Sequence, residues 1–572
     1  MGNDTDRRTL LAITLCIAVY FFWMSLFPPP QPVEPVADGT ADVPSGEVPD
    51  VPAAPAAPAA PADPVAPATT PAPAVVDVPA HSEPLSGEKW TGEIHSDEGA
   101  IRGLDLNDYT SSTEVTPLYS WLLGGMKGEN GWEPYRGGDD PLALLTEKGA
   151  LLLAGAGELS PVLGYQLTER DGRIIATHTD PAGLTITKEY APSSNPFSLD
   201  IQVTFTNNSA RSIDRLWVGV AEEMSGDAGR FSNAVRPLAH VEGGIEHFDD
   251  LSDLTEQAEL VSEAPNWFGV GDRYFMSVLW PDAGQTSGLG SLVVSPLASG
   301  QDRYGSFAYF SQPLDSGATR TLNLHAYLGP KQLDILESID SNAAGGEGYT
   351  GPALADAVEL GWFGFFARIL LWMLKIFQSG VVNWGAAILL LTLIVKLAFF
   401  PLTQKAFTSS RRMQALQPKL NAIKEKYKDN RELQTQETMN LFKENNVNPM
   451  GGCLPTLIQF PVWIALYNVM LYSVELYDSS FLYLMDLTAE DPYGVLPVVY
   501  AVLILGQQRM MPMGNMDPTQ QRIMKLMPLM FAAFMFTFPS GLVLYFCCNI
   551  LLTIGQQWLI NRQIKIDEPA AA

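Results

Sequence analysis

Cysteine is scarce in this sequence. The chain has four in 572 residues, Cys16, Cys453, Cys547 and Cys548. That excludes a disulfide-stapled scaffold, and any domain between Cys16 and Cys453 needs a sufficient core of its own. Charge is also short. Charged residues make up 17% of the chain, against roughly 25% in an ordinary soluble protein. Apolar residues reach 47%, which excludes a wholly disordered chain and places part of it in lipid. Positive charge is scarcer than negative. With 35 Lys+Arg against 63 Asp+Glu the net charge is −28, which argues against a nucleic-acid partner, DNA included. Chemical motifs are missing too. No G-x-x-x-x-G-K-[ST] is present, so no ATP motor is built in, and neither G-x-S-x-G nor H-E-x-x-H occurs. The nearest approach to a metal site, His240-Val-Glu242-Gly-Gly-Ile-Glu246-His247, fits no standard zinc or calcium spacing and reads as an acidic surface loop. His325 falls on the polar face of its strand and reads as solvated. No acid interrupts the middle of an apolar run, which removes the most readable support for a proton-coupled transporter. No enzyme, cofactor or metal is expected.

What is there divides by charge. Residues 28–361 carry 16 Lys+Arg against 48 Asp+Glu, and residues 362–572 carry 17 against 13. Residues 10–27 form an uncharged run long enough to span a bilayer, preceded by Arg7 and Arg8. No small-x-small site precedes Pro28, so residues 1–27 read as an uncleaved anchor. Residues 28–89 form a Pro/Ala-rich linker; its first 53 residues hold 16 prolines and no Lys or Arg, the composition of an extended tether. Residues 90–345 turn to short alternating runs. Leu199, Ile201, Val203 and Phe205 share one face, as do Leu322, Leu324, Ala326 and Leu328. Many such strands predict a large antiparallel sandwich. Residues 346–380 hold an amphipathic segment with Arg368 and Lys375, expected along the membrane interface. Residues 381–561 then read as a five-span core. Its spans are 381–400, 454–474, 495–505 with flanks, 523–538 and 542–560, with a hairpin at 402–453 and a tail at 562–572.

The fold class is thus an α-helical polytopic membrane bundle of six spans with a helical hairpin, plus a large exported all-β sandwich domain. Loop charge gives its orientation. Residues 402–453 carry nine Lys/Arg, whereas 475–494 carry none and five acids. With the amino end inside, the basic loop and the tail are cytoplasmic and the sandwich is exported.

Polar residues inside the spans mark a candidate site. Lys396 lies four positions after Thr392 on one helix face. The third span adds Thr456, Gln459 and Asn468, and the sixth adds Asn549, Thr553, Gln556 and Gln557 as a stripe. A cation at this depth favours a wet cavity, with snorkelling towards residue 402 as the alternative. Helix–helix hydrogen bonding accounts equally well for the stripe. Spans 495–505 and 523–538, the latter with Pro528, are short and should thin the bilayer. In the hairpin, Met413, Leu416, Leu420, Ile423 and Tyr427 form an a/d seam that Pro418 should kink or delay. Asp429 and Asn430 break it, with Glu432 three after Asp429 as a possible capping box, before a second helix bearing Leu433, Met439 and Phe442. Arg411, Arg412, Lys419, Lys424, Lys426 and Lys428 are the candidate docking cations for an anionic partner, against a self-packed, solvated hairpin.

Three stretches resemble a known family. Asn448-Pro-Met-Gly-Gly-Cys-Leu-Pro455 running into Leu457-Ile-Gln-Phe-Pro461 is similar to the third-span entry of the YidC membrane protein insertases. Phe538-Pro-Ser-Gly-Leu-Val-Leu-Tyr545, with Asn549 and Gln556-Gln557, resembles their sixth span. Leu391-Thr-Leu-Ile-Val-Lys396, Phe400-Pro-Leu-Thr403 and Leu416-Gln-Pro418 resemble their second span and hairpin start. The match covers residues 361–561. It implies an inner-membrane insertase and chaperone with a periplasmic β-supersandwich. Clients would enter a hydrophilic groove, here Lys396, Thr392, Gln459, Asn549 and Thr553, across a locally thinned bilayer. It also implies nascent membrane proteins, the Sec translocon, the ribosome and membrane lipids as partners. The groove cation is usually Arg in that family; Lys396 keeps the charge without the bidentate fork. A transporter or channel with a through-path, and a tethered carbohydrate enzyme using a carboxylate or His of the sandwich, stay open on the residues alone.

Overall fold

The structure is a computed structural model that describes residues 80–111, 141–224, 234–241, 244–248, 259–261, 263–283, 288–297, 303–343, 351–428, 430–445, 454–510 and 518–563, with 114–115, 135–136, 285 and 447. The expected anchor at 1–27 and the linker up to residue 79 lie outside the described residues.

Alternating sequence becomes two nine-stranded antiparallel sheets. One runs Ser82–Ser86, Trp90–His95, Ala100–Thr110, Ala150–Ala156, Leu216–Glu223, Arg303–Phe310, Leu289–Pro296, Glu259–Val261, with Pro141–Leu145 added beside Ala100–Thr110. The other runs Gly244–His247, Arg236–Val241, Trp267–Gly271, Phe275–Pro281, Thr319–Pro330, Ser198–Asn207, Leu184–Pro192, Arg173–Thr179, Gln166–Arg170. Ser198–Asn207 and Thr319–Pro330 pair with Leu199 opposite Ala326 and Val203 opposite Leu322. Both alternating sets are buried, so the period-two pattern put the right residues on the inner face. The buried faces meet. Phe205 packs edge-on to Phe310 at 5.4 Å, and Trp90, Trp217 and Trp267 are fully enclosed.

Without disulfides, polar staples help to join the sheets. Lys188 donates to the carbonyls of Glu98 (2.8 Å), Gly99 (3.2 Å) and Leu152 (2.8 Å), and burial pulls its ammonium down to about 7. Arg303 grips both Glu98 carboxylate oxygens at 2.7 and 3.2 Å. Burial alone would raise the Glu98 carboxyl, but Arg303 and Arg102 outweigh it and hold it below the usual range.

Two expectations for this domain need correction. His240 and Gly244–His247 belong to a β-hairpin, not a surface loop. His240 is buried and bonded to Asn266 (2.9 Å) and Asp356 (3.3 Å). His325 is not merely solvated: its Nδ1 lies 2.8 Å from Asp200 and its Nε2 2.6 Å from Asp282. Asp200 is contributed by the adjoining strand and Asp282 follows the other neighbour, a cross-strand juxtaposition that a single strand's alternation does not reveal.

Helices follow the sheets: α1 (Leu333–Ala343), α2 (Gly364–Val381), α3 (Trp384–Ala415), α4 (Gln417–Lys426), α5 (Arg431–Glu444), α6 (Leu454–Tyr472), α7 (Val495–Met510), α8 (Pro518–Phe534) and α9 (Ser540–Gln563). Among the described residues, three helices are long and apolar enough to cross a membrane: Gly364–Val381, Trp384–Ser409 and Ser540–Ile560. α2 has two tied charges. Arg368 pairs with Glu337 of α1, and Lys375 with Asp334 (2.7 Å) and Glu475 (2.8 Å). The segment between α6 and α7 docks on the sheets. Thr110 donates to Asp478 at 2.9 Å, and the Tyr477 ring meets Phe275 edge-on at 4.9 Å.

Candidate functional site

α3 continues through residue 402 to Ala415 without a break at Pro401. Lys396, twelve residues into it, lies about 18 Å along the axis from Trp384 and about 28 Å from Ala415. The polar stretch of α3 starts at Gln404, eight residues or about 12 Å beyond Lys396, and the Lys396 ammonium is bonded across to α9.

The groups around Lys396 come from two helices. Its Nζ donates to Thr553 Oγ1 of α9 at 2.9 Å, and that hydroxyl in turn donates a hydrogen bond to the Asn549 backbone carbonyl at 2.6 Å. The roles agree, because a hydroxyl can accept from an ammonium while donating elsewhere. Thr392 is buried one turn away and donates to the Ile388 carbonyl at 2.7 Å. Gln556 reaches across to the Phe400 carbonyl at 3.4 Å. Gln557 is buried with its Oε1 unpartnered among the described residues. The sixth-span stripe therefore faces protein, not lipid. Among the described residues no carboxylate pairs with Lys396, and two of its three N–H donors are left for water or another guest.

Not every candidate is brought here. Gln459 is half-buried on α6, and among the described residues no hydrogen bond joins it to Lys396. Asn468 turns instead to the Leu360 carbonyl at 3.0 Å, under the sheets. The Thr456 side chain and the Asn448 to Cys453 motif lie outside the described residues. Cys548 was overlooked. Its thiol lies against the Thr392 hydroxyl and within electrostatic range of Lys396. The available signal was its place eight residues before Gln556 on the same helix face.

The hairpin takes a definite form. Pro418 sits in the first turn of α4, so it delays a new helix instead of kinking an old one. Leu416 and Leu420 are buried. Asn430 caps α5 by accepting from Leu433 N at 3.1 Å, a one-residue shift from the expected box. Leu433 and Met439 are exposed and Phe442 is half-buried. Arg412, Lys419, Lys424, Lys426 and Lys428 are all exposed, and the Arg411 side chain lies outside the described residues.

Comparison with known proteins settles the family. Residues 376–568 match the model of the 60Kd inner membrane protein, and residues 163–373 match that of the YidC periplasmic domain. The membrane protein insertase YidC of Geobacter sulfurreducens is 33% identical, covering 98% of this chain and 99% of its own. The chain belongs to the YidC membrane protein insertase family. The YidC of Geobacter metallireducens is 31% identical with the same coverage. A crystal structure of an active YidC insertase is 17% identical, covers 83% of this chain and 91% of its own, and has a TM-score of 0.33. The protein is thus a non-enzymatic, multi-pass inner-membrane insertase with a periplasmic domain, and nascent membrane proteins are its substrates. This closes the transporter and carbohydrate-enzyme readings. The periplasmic-domain match covers most strands of the two sheets, which therefore form the periplasmic domain.

Proposed function

We propose that insertion runs through a wet, cytoplasm-facing groove lined by Lys396, Thr392, Gln459, Asn549 and Thr553. The observation that carries this reading is the half-buried Lys396 ammonium, within the apolar part of α3, with one hydroxyl partner and no carboxylate among the described residues. Such a group is costly in hydrocarbon and tolerable beside water. A client's hydrophilic tail enters the groove at reduced desolvation cost, and its acidic residues are drawn to Lys396. Its apolar helix then passes into lipid, driven by roughly 25 cal/mol per Å² of apolar surface. No nucleotide is needed for that step.

α7, at 16 residues, is about 24 Å long and α8 about 25 Å, against a hydrocarbon core of about 30 Å. Short helices thin the bilayer and shorten the tail's path. The proposed architecture has six spans: the 1–27 anchor, α3, α6, α7, α8 and α9, with the sheets as a supersandwich. α2 lies along the periplasmic interface, because Arg368 and Lys375 are paired with acids of α1 and of the periplasmic segment. The α4–α5 hairpin and its exposed lysines receive the ribosome, and the Sec translocon shares the larger clients.

The test is capture. A photoreactive residue at Thr392 or Asn549 should cross-link a stalled single-span nascent chain, whereas one at lipid-facing Leu551 should give far less adduct. Equal or greater capture at Leu551 would overturn the groove.

A further inference from the structure

Residues 481–485 form a small hairpin in the periplasmic segment. Phe481 N donates to the Leu484 carbonyl at 2.9 Å and Leu484 N to the Phe481 carbonyl at 3.0 Å, so Leu482 and Tyr483 make a two-residue tip. The hairpin is seated from three sides. The Phe481 ring lies over Gly385, near the start of α3, so closely that a Cβ there would stand 2.2 Å from it. Asn383 Nδ2 donates to the Ser480 carbonyl at 3.0 Å, and the Tyr483 hydroxyl donates to Asp491 at 2.9 Å.

Leu482 is left pointing away. It is 84% exposed, Met485 is 52% exposed, and Val382 beside the seat is 79% exposed. Leu482 also has φ 56°. A positive φ at the first central residue of a two-residue hairpin ordinarily belongs to Gly, because a side chain is strained there. Strain and apolar exposure at one residue are both offset if the side chain leaves water.

Lipid is the neighbour at hand. α3 enters the membrane next to the hairpin's seat, and the exposed apolar surface continues through Val382 to Ile376 and Trp372 of α2. The segment's acids are turned inward. Asp486 accepts from Thr488, Asp491 from Tyr483, and Glu475 pairs with Lys375. We infer that the 481–485 hairpin is a membrane anchor that seats Leu482 and Met485 in the periplasmic leaflet and fixes the depth of the outer end of α3. It carries no cation, so it needs no anionic headgroup.

The experiment uses the full chain with its four cysteines replaced, Leu482→Cys labelled with an environment-sensitive fluorophore, and Asn208→Cys as an exposed control. In phosphatidylcholine vesicles the label at 482 should emit to the blue of the label at 208. It should resist iodide and be quenched by lipids with shallow doxyl groups, and phosphatidylglycerol should not change this. Identical emission and iodide quenching at the two positions would overturn the anchor. So would shielding that appears in native membranes but not in lipid vesicles, which would assign the tip to a protein partner. A second arm labels Met485→Cys. Adding Leu482→Gly, a residue at ease at that φ, should leave the melting temperature in detergent unchanged yet increase iodide access at 485. Unchanged access would contradict the proposal.

Discussion

At the level of single residues, Lys396 is legible by exclusion. It is the sequence's one cation well inside a span, and the structure adds a single hydroxyl partner and no acid among the described residues. If its charge is what serves clients, Lys396→Arg should retain insertion, because the charge is kept and reach is similar. Lys396→Leu should impair a client with an acidic translocated tail more than one with a neutral tail. Lys396→Glu should be worst, repelling acidic tails with only hydroxyls and amides to compensate. In vivo insertion of the two clients at matched expression gives the ranking, and equal activity of the Leu variant on both would remove the charge from the mechanism. His325 offers a second residue-level outcome, in the periplasmic domain. Hydrogen bonds to Asp200 and then Asp282 outweigh burial and raise its imidazole above 6.5. A raised folded-state value means that the stabilisation is fully present below about pH 6.5 and fades as pH climbs through the folded value. The melting-temperature gap between the parent and His325→Asn should therefore be wider at pH 6 than at pH 9. A gap independent of pH would contradict the two-carboxylate clamp.

Among the elements, legibility followed period and punctuation. The strands bearing Leu199 to Phe205 and Leu322 to Leu328 were readable because one face is dry and the other wet, which period two records directly. Pro418 marked a helix start, and the acidic 475–494 segment, expected outside on its charge, rests on the sheets. What a sequence pattern does not carry is pairing between distant elements. His325 with Asp200 and Asp282, Lys396 with Thr553, and Asn468 with the Leu360 carbonyl each depend on which neighbour the fold supplies. Apolar runs also blur helix ends. The span was expected over 381–400, and the helix that carries it runs on to Ala415 although the residues from Gln404 are no longer apolar. The elements divide the labour. Deleting 413–442, which removes α4 and most of α5, should abolish insertion of small single-span clients in a depletion strain, because the exposed lysines lie there. Deleting most of 90–332 should leave such clients largely served. A lethal sheet deletion beside a tolerated hairpin deletion would reverse the assignment. Because Tyr477 rests on Phe275, the sheet deletion should still lower the melting temperature of the remainder.

For the whole molecule, the charge split is the organising fact: an acidic exported half and a slightly basic membrane half, with the lysines gathered on one loop. Cysteine at Asn208 should react with an impermeant thiol reagent once the outer membrane is permeabilised, and cysteine at Lys428 should not. The reverse pattern would invert the topology. The central claim is narrower, that water and positive charge meet inside the membrane half at Lys396. Cys548 is a native reporter for it, half-buried beside Thr392 and Lys396. With Cys16, Cys453 and Cys547 replaced, Cys548 should be alkylated by a hydrophilic anionic thiosulfonate in inside-out inner-membrane vesicles. The anionic reagent should outpace its cationic counterpart, and Lys396→Glu should invert that preference. In right-side-out spheroplasts the anionic reagent should leave Cys548 untouched. A Cys548 inert to both hydrophilic reagents from the cytoplasmic side, yet open to an apolar maleimide, would mean that Lys396 sits in a dry interface, and the groove would be contradicted.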